Sequence, residues 1–453
     1  MPHSDPISDV RNWQAQSVKD NAFDCVPINF EDSAEWRFEG GQLRHRTGGW
    51  FSVAGIRSEA RHPLLNGRQQ LIILQRQIAI NGFLVQTGAA GVKLLFQGRV
   101  EPGNIHGMQL APTVQSTESN YKRLHGGKAT PFVEFFLDPT LGEILFDELQ
   151  SEEATRYFGK YNRNIMVRLT SPPPAPDGFR WYDMEAIRRF VVYSNVLNTD
   201  ARSVLASANW DVLAGEARPF THHPAGSFGA ELRASYDAPL QHADALDTLA
   251  WLTRLRVRTG LHSQILPIDA LENWVIERNR IREVQADLGF QVRQFKVIAL
   301  GREVGFWDQP LIDSFGVGRL TLVCQQRAGM LRFLVKASHE IGFLEGVQLG
   351  ASIFIPPGRT EKNGDAVEQR LLEAVSDDRK ATLLHRCRQS EEGGRFYQDE
   401  VDYEMVLLDP SVTLPEPEDY RWLTLSEIRE LIAIPGVFSM EFRGVLALLL
   451  AYL

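Results

Sequence analysis

SEEATRYFGKYNRNIMVRL, residues 151–169, returns 239 positions later as SEEGGRFYQDEVDYEMVLL, residues 390–408. The same interval separates RVEPGNIHGMQLAPTVQSTESNYKR (residues 99–123) from SHEIGFLEGVQLGASIFIPPGRTEK (residues 338–362). Within that pair Glu101, Gly103, Gly107 and Gln109 face Glu340, Gly342, Gly346 and Gln348. Further out, Trp13 faces Trp251, Pro27 faces Pro267, and Trp36 faces Trp274. Arg180-Trp faces Arg421-Trp, and Arg202-Ser-Val-Leu-Ala faces Arg443-Gly-Val-Leu-Ala. Chance does not hold nearly one offset over two hundred residues, so the chain reads as a duplicated domain. The copies are expected at 10–207 and 246–453. The intervening 208–245 is rich in Pro, Gly and polar residues without a sustained period, which suits a tether. The pair His222-His223 in it has no nearby acidic or cysteine partner and reads as solvated loop rather than a metal site.

Each copy mixes element types. LIILQRQ (71–77), GVKLLFQGRV (91–100), FVEFFLD (132–138) and NIMVRL (164–169) predict strands. MEAIRRFVVYSN carries apolar residues at helical spacing, and Thr424 with Glu427 forms a capping box ahead of Ile428. SPPPAPDGF and LDPSVTLPEPEDY predict turns. The expected unit is an α+β or α/β layered domain whose sheet is closed by a late helix.

The 453 residues suffice for large cores, and 43% hydrophobic with 23% charged residues is ordinary globular material. A net charge of −9 argues against nucleic acid or an anionic membrane as partner, so any phosphate site must be a local cluster. Three widely spaced cysteines make neither a disulfide framework nor a zinc signature. VLALLLAYL at the carboxyl end is about half of the roughly 20 residues a spanning helix needs, and the amino terminus lacks an apolar signal core. These features predict a soluble, cytoplasmic protein.

Two copies in one chain act as an internal control: positions that build the fold persist in both, while positions serving chemistry need persist in only one. Thr117, Asn120, Tyr121, Lys122 and His125 of the first copy face Pro356, Arg359, Thr360, Glu361 and Gly364. The Lys122-to-Glu361 reversal turns an anion-attracting spot into a repelling one. NYKRLHGGK therefore marks the first copy as the functional one. LRHRTGGW contributes Arg44, His45 and Trp50, and YNRN contributes Arg163 and Asn164; arginine forks suit phosphate oxygens and an indole face suits a base.

EPGNIHGMQLAPTVQSTESNY followed by HGG, GGQLRHRTGGWFSVAGI, YNRNIMV and LPIDALENW together resemble the NDP-hexose 2,3-dehydratases, which act on dTDP-4-keto-6-deoxy-D-glucose. The resemblance covers essentially the whole chain. It implies tandem Nudix-like α/β/α sandwich domains with mixed sheets, a homodimer, one catalytic nucleotide-sugar pocket of two, and a downstream 3-ketoreductase. The second copy departs from the family pattern by reading EIGF and GASIFIPP, and no Nudix box is present to bind a metal for pyrophosphate hydrolysis. The implied chemistry is removal of the C3 proton, loss of the C2 hydroxyl by β-elimination, and relaxation to a 3,4-diketo-2,6-dideoxy sugar. It needs no redox cofactor in principle.

On this reading His125 or Glu101 is the base, with His125 favoured because the second copy loses it. Tyr121 or Lys122 stabilises the enolate or protonates the leaving group. Arg44, Arg123 and Arg163 hold the diphosphate and Trp50 stacks on thymine. His45, Asn104, Gln109, Thr113, Gln115, Thr117, Asn120 and Asn164 complete the candidate substrate contacts. A Nudix-type sugar-nucleotide hydrolase and a non-catalytic nucleotide-sugar scaffold are the competing readings.

Overall fold

The computed structural model describes residues 5–20, 22–89, 91–123, 128–215, 217–239, 242–285, 288–300, 304–359, 366–414 and 417–453. Its architecture is mixed α and β, and the same topology occurs twice. In the first repeat a seven-stranded sheet runs Glu143–Ser151, Tyr161–Arg168, Ile80–Gly88, Gly91–Val100, Phe179–Asp183, with two short strands added at Met108–Ala111 and Val114–Ser116. One pair is parallel, placing Arg163 opposite Ile80. The second repeat rebuilds this sheet around Val317–Arg327 and Glu400–Leu408, again a parallel pair, with Asp402 opposite Arg319.

Between the two large sheets lie the helices Thr199–Ser207 and Met440–Leu446, buried at all nine and all seven residues. A helix buried all round belongs to a core, and here that core is common to both repeats. The apolar run VLALLLAYL continues it as the 3₁₀ helix Ala447–Tyr452, where Leu448, Leu449 and Leu450 are buried. Among the described residues no helix is long and apolar enough to cross a membrane.

Two smaller five-stranded sheets interlock the copies. Strand Asp24–Ile28 of the first repeat pairs with Phe290–Ile298 of the second, and His262–Leu266 of the second pairs with Ser52–Glu59 of the first. Each repeat thus lends its first strand to the other. The repeated EPG and EIG turns make a matching exchange. Gly103 donates its N–H to the Gly393 carbonyl at 2.7 Å, and Gln398 donates to the Gly103 carbonyl at 2.9 Å. Reciprocally Gly342 donates to Ala154 at 3.1 Å and Gly159 to Gly342 at 2.8 Å. A Cβ on Gly103 would lie 1.5 Å from the Phe396 carbonyl oxygen, and one on Gly342 1.9 Å from that of Tyr157, so neither position admits a side chain. The repeated glutamine and serine exchange in the same way: Gln109 Nε2 donates to Ser390 Oγ at 2.6 Å, and Ser151 Oγ to Gln348 Oε1 at 2.7 Å.

Three expectations need correction. The segment 208–245 is not a tether: it holds helices Trp210–Ala214 and Phe228–Tyr236, and Trp210, Phe220 and Leu232 enter the shared core. Its apolar residues are too widely spaced to show a period. Within it His223 contacts the Tyr452 carbonyl at 2.7 Å instead of lying in open solvent. FVEFFLD is not a strand; Phe132 has φ +65° and Glu134–Leu137 is a single helical turn. That turn plugs Phe136 against Gly82, where a Cβ would meet the ring at 2.4 Å. The capping box Thr424–Glu427 is present, with Glu427 N–H donating to Thr424 Oγ1 at 3.2 Å.

The close approach makes a stability prediction. Gly103→Ala should cost about 3 kcal/mol or more, the scale of a severe buried change, whereas Gly88→Ala, where a Cβ meets nothing within 4 Å, should be nearly neutral. Denaturant midpoints of the two variants check this; equal midpoints would show that the turn is not a tight inter-repeat clasp.

Candidate functional site

The first repeat's large sheet opens on a cleft of about 1110 Å³, measured with its mouth. Four neighbouring elements supply its polar floor. Asn81 comes from the start of strand Ile80–Gly88, and Asn162 from strand Tyr161–Arg168 with Lys160 just before it. Glu152 and Tyr157 come from the loop between strands, and Asp200 from the first turn of helix Thr199–Ser207. Asn198 caps that helix by accepting from Ala201 N–H, which fixes where Asp200 begins. The far wall belongs to the second repeat: Trp307, Gln309, Glu392, Gly394 and Arg395.

Electrostatically the floor is one coupled set. Lys160 Nζ donates to Asn162 Oδ1 at 2.5 Å, to the Tyr161 carbonyl at 3.2 Å and to the Gln77 carbonyl. Three acceptors match the three N–H bonds of an ammonium, while burial, opposed by Glu152, brings its pKa down to about 8. Asn162 Nδ2 donates to Glu152, whose carboxyl is pushed up to about 7, first by burial and then by repulsion from Glu392. Asp200 accepts from Asn81 Nδ2 at 2.6 Å and from Gln115 Nε2 at 2.5 Å. Burial, then Glu152 and Glu392, holds it well above the usual carboxylate range. Glu392 is raised chiefly by burial, against Arg395 and a hydrogen bond from Tyr157 Oη, whose own pKa burial lifts. Like charges in a low-dielectric cleft cannot all ionise, so protonated and ionised carboxyls coexist there near neutrality.

The apolar walls are Trp50, Phe51 and Trp307, with the Arg395 guanidinium 4.0 Å from the Phe51 ring centre. These residues continue into a side groove of about 1020 Å³, where His45 contacts Thr47 Oγ1 at 2.8 Å and Glu35 Oε2 at 2.7 Å.

Of the residues singled out from sequence, Trp50, Glu101, Gln115, Thr117 and Asn120 line the cleft and His45 lines the side groove. Glu101 is engaged by the Arg99 guanidinium. The others stand elsewhere, each for a visible reason. The Arg163 fork is spent on Asp147, at 2.7 and 2.6 Å, and on the Phe136 carbonyl. Lys122 is exposed and paired with Glu118. Tyr121 packs beside the Phe136 cluster. Arg44 is half-buried, 3.8 Å from Glu39, and Arg123 is exposed with φ +54°. Asn104 braces its own turn through the Arg99 and Gly107 carbonyls. Thr113 donates to the Leu95 carbonyl, Asn164 to Ser203 Oγ, and Gln109 across to the second repeat. His125 lies outside the described residues.

Sequence reasoning missed Asn81, Glu152, Tyr157, Lys160, Asn162, Asp200, Glu392 and Arg395. A signal was available in the opening repeat: Tyr157 faces Phe396, Lys160 faces Asp399 and Asn162 faces Val401, polar or cationic groups of the first copy that turn apolar or reverse charge in the second. Asp399 there accepts from Ser314 instead, and Arg156 covers Phe290 at 3.9 Å as Arg395 covers Phe51. One group among the described residues gathers three potential metal ligands, His62, His339 and Asp419, within 4.8 Å. The two imidazoles stack at 3.7 Å and 6°, so their in-plane lone pairs run parallel instead of converging, and Arg258 already holds Asp419.

The profile of a family described as NDP-hexose 2,3-dehydratase matches residues 7–208 and 245–449. A Streptomyces violaceoruber protein named dTDP-4-dehydro-6-deoxy-alpha-D-glucopyranose 2,3-dehydratase is 33% identical over 440 residues, 96% of this chain and 95% of that protein. Proteins of the same name from Amycolatopsis orientalis and Saccharopolyspora spinosa are 29% and 28% identical, over 97% and 98% of this chain and 89% and 91% of theirs. Among solved structures, a Caenorhabditis elegans Ap4A hydrolase covers 26% of this chain and 88% of its own at 15% identity with a TM-score of 0.19.

Glu152 gives a pH-dependent prediction. Its folded pKa of about 7 exceeds the unfolded value of 4.5, so the folded state binds the extra proton between these pH values. Stability therefore falls as pH rises through that window. Glu152→Gln, which keeps the acceptor for Asn162, should stabilise the protein by on the order of 2 kcal/mol at pH 8 and hardly at all at pH 4.5. Urea unfolding at both pH values checks the sign; equal effects would mean that the carboxyl titrates normally.

Proposed function

The chain belongs to the NDP-hexose 2,3-dehydratase family, and from that premise we propose that it removes the C2 hydroxyl of dTDP-4-keto-6-deoxy-D-glucose in the first repeat's cleft. The observation that carries the reading is the set of mutually repelling carboxyls around a buried ammonium, a site stocked with both proton acceptors and proton donors at neutral pH.

The C4 ketone acidifies the C3 hydrogen. A carboxylate takes that proton, and the C3–H electron pair becomes the C3–C4 double bond of an enolate. The enolate then reforms the ketone while the C2–O bond breaks, and a protonated carboxyl delivers a proton so that water leaves. The C2–C3 enol takes a proton at C2 and yields the 3,4-diketo-2,6-dideoxy sugar. Electrons balance within the sugar, C3 rising to the ketone level as C2 is reduced, so no external oxidant enters. A positioned acid or base contributes about 10²- to 10⁴-fold. The Lys160 charge, fixed by three acceptors, stabilises enolate charge without donating a proton.

Finer assignments follow from this reading. The activity is that of a hydro-lyase, and each repeat is a Nudix-like sandwich, its mixed sheet packed on a buried helix. A homodimer working beside a 3-ketoreductase in the cytoplasm is consistent with an unstable diketone product. Trp50 and Trp307, shared by cleft and side groove, offer indole faces for the thymine, with the sugar directed toward Lys160.

Purified protein incubated with dTDP-4-keto-6-deoxyglucose and a 3-ketoreductase with its nicotinamide cofactor should yield a reduced nucleotide sugar lacking the C2 oxygen, seen by mass. Metal-dependent release of a sugar phosphate would assign a hydrolase instead, and tightly bound but unchanged substrate a scaffold.

A further inference from the structure

The doubled glutamate that opens each SEE stretch is divided between the two halves of the molecule. Glu152, the first of its pair, stays with its own repeat, where Asn162 holds it. Glu392, the second of the other pair, crosses over: it lines the first repeat's cleft and accepts a hydrogen bond from Tyr157 Oη. The counterpart Glu153 crosses the opposite way, its surroundings dominated by Glu391 and Glu441 of the second repeat. There Phe396 replaces the tyrosine, so Glu153 meets no phenol and is held by its neighbour Thr155. Among the described residues, only the first cleft combines a home glutamate, a crossed glutamate and a phenol of the home repeat that donates to the crossed one.

Resting on the dehydratase reading above, we propose that Glu392, carried by the second repeat, is the catalytic base that takes the C3 proton in the first repeat's cleft, and that Tyr157 is the positioning residue that aims it.

The other cleft carboxyls are occupied. Asp200 uses both oxygens on the amides of Asn81 and Gln115. Glu152 accepts from the Asn162 amide and from the Glu153 backbone N–H. Glu101 is neutralised by Arg99. Glu392 gives one oxygen, Oε2, to Tyr157, and its Oε1 makes no hydrogen bond with a described residue while the side chain is half-buried against the cleft. The groups facing it are Arg395 on its own loop, Tyr157, Glu152 and Lys160 from the adjoining loop of the first repeat, Glu101 from the EPG turn, and Asp200 from the helix. The Tyr157 bond and the Arg395 charge favour the carboxylate, while burial and the neighbouring acids keep it basic. In the step itself the C3–H bond breaks, an O–H bond forms on Glu392 Oε1, and the electron pair passes into the enolate.

The test uses the full chain. Glu392→Gln should lower turnover of dTDP-4-keto-6-deoxyglucose at least a hundredfold and abolish deuterium wash-in at C3 from heavy water, with dTDP binding changed less than threefold. Tyr157→Phe should move the acidic limb of the kcat/KM profile to higher pH, because a carboxylate that loses its donor ionises later, and should lower kcat more than it changes KM; a purely structural tyrosine would leave the limb in place. Glu153→Gln, equivalent in sequence but facing the other side, should keep turnover within a few-fold. The inference is overturned if wild type dehydrates and Glu392→Gln retains more than a tenth of its turnover, or if His125→Asn and not Glu392→Gln abolishes the exchange. Where Glu392→Gln fails to fold, an unmoved limb in Tyr157→Phe overturns it. A wild type that leaves the 4-keto sugar unchanged removes the dehydratase reading itself, and the inference with it.

Discussion

Two glycines without room for a carbon atom hold the molecule together. Gly103 lies against the Phe396 carbonyl and Gly342 against that of Tyr157, each turn slipped beneath the SEE loop of the other repeat. Backbone hydrogen bonds at both places are inter-repeat and buried, so breaking one leaves unpaired polar groups as well as a clash. The clasps also set the chemistry. Tyr157 lays its carbonyl against Gly342 and donates its hydroxyl to Glu392, while the Gly393 carbonyl, next to Glu392, accepts from the N–H of Gly103. The geometry of the proposed base and its orienting phenol is therefore fixed by the same contacts that fix the fold.

Within this near-symmetric frame, charge separates the two halves. At corresponding positions the first repeat has Lys160, Asn162, Asn81 and Gln115 where the second has Asp399, Val401, Leu320 and Phe354. A lone ammonium among carboxyls makes an enolate tolerable in the first cleft; a further carboxylate in the second makes the same charge worse. Polar amides also matter because an ionised or protonated carboxyl needs fixed partners in a dry site. Asp200 and Glu152 each have two, and the second repeat's apolar replacements cannot supply them.

Much of the architecture was legible because duplication leaves a long, checkable offset, and the strands at 91–100 and 164–168 and the capping box at Thr424 follow from local pattern alone. The strand exchange was not legible. Pairing Asp24–Ile28 with Phe290–Ile298 instead of with its own repeat depends on chain path, and both pairings satisfy the same alternation. The site was half legible for a related reason. Gln115, Thr117 and Asn120 were found because they sit in a polar stretch that differs between copies, and Glu101 because the motif around it is kept in both. Arg163 misled because a guanidinium attracts attention before its carboxylate, sixteen residues away on the neighbouring strand, is known. Glu392 and Arg395 were invisible to any reading that assigns each repeat its own pocket.

The crossed glutamate also explains what the second repeat has retained and what it has lost. In a symmetric dimer of a single repeat, each subunit would complete the other's site, and a change harming one pocket would harm both. Fusing the copies lifts that constraint for groups that serve only their own cleft, and Lys160, Tyr157 and Asn162 have no functional counterpart in the second repeat. It does not lift the constraint for a group that reaches across. Glu392 and Arg395 sit in the second repeat yet line the first cleft, so they answer to the first cleft's chemistry whatever becomes of their own. A second half that had become mere buttress would be free to lose both; one that still supplies the base is bound to keep its SEE and its arginine while other positions of its pocket turn apolar or reverse charge, which is the pattern the chain displays.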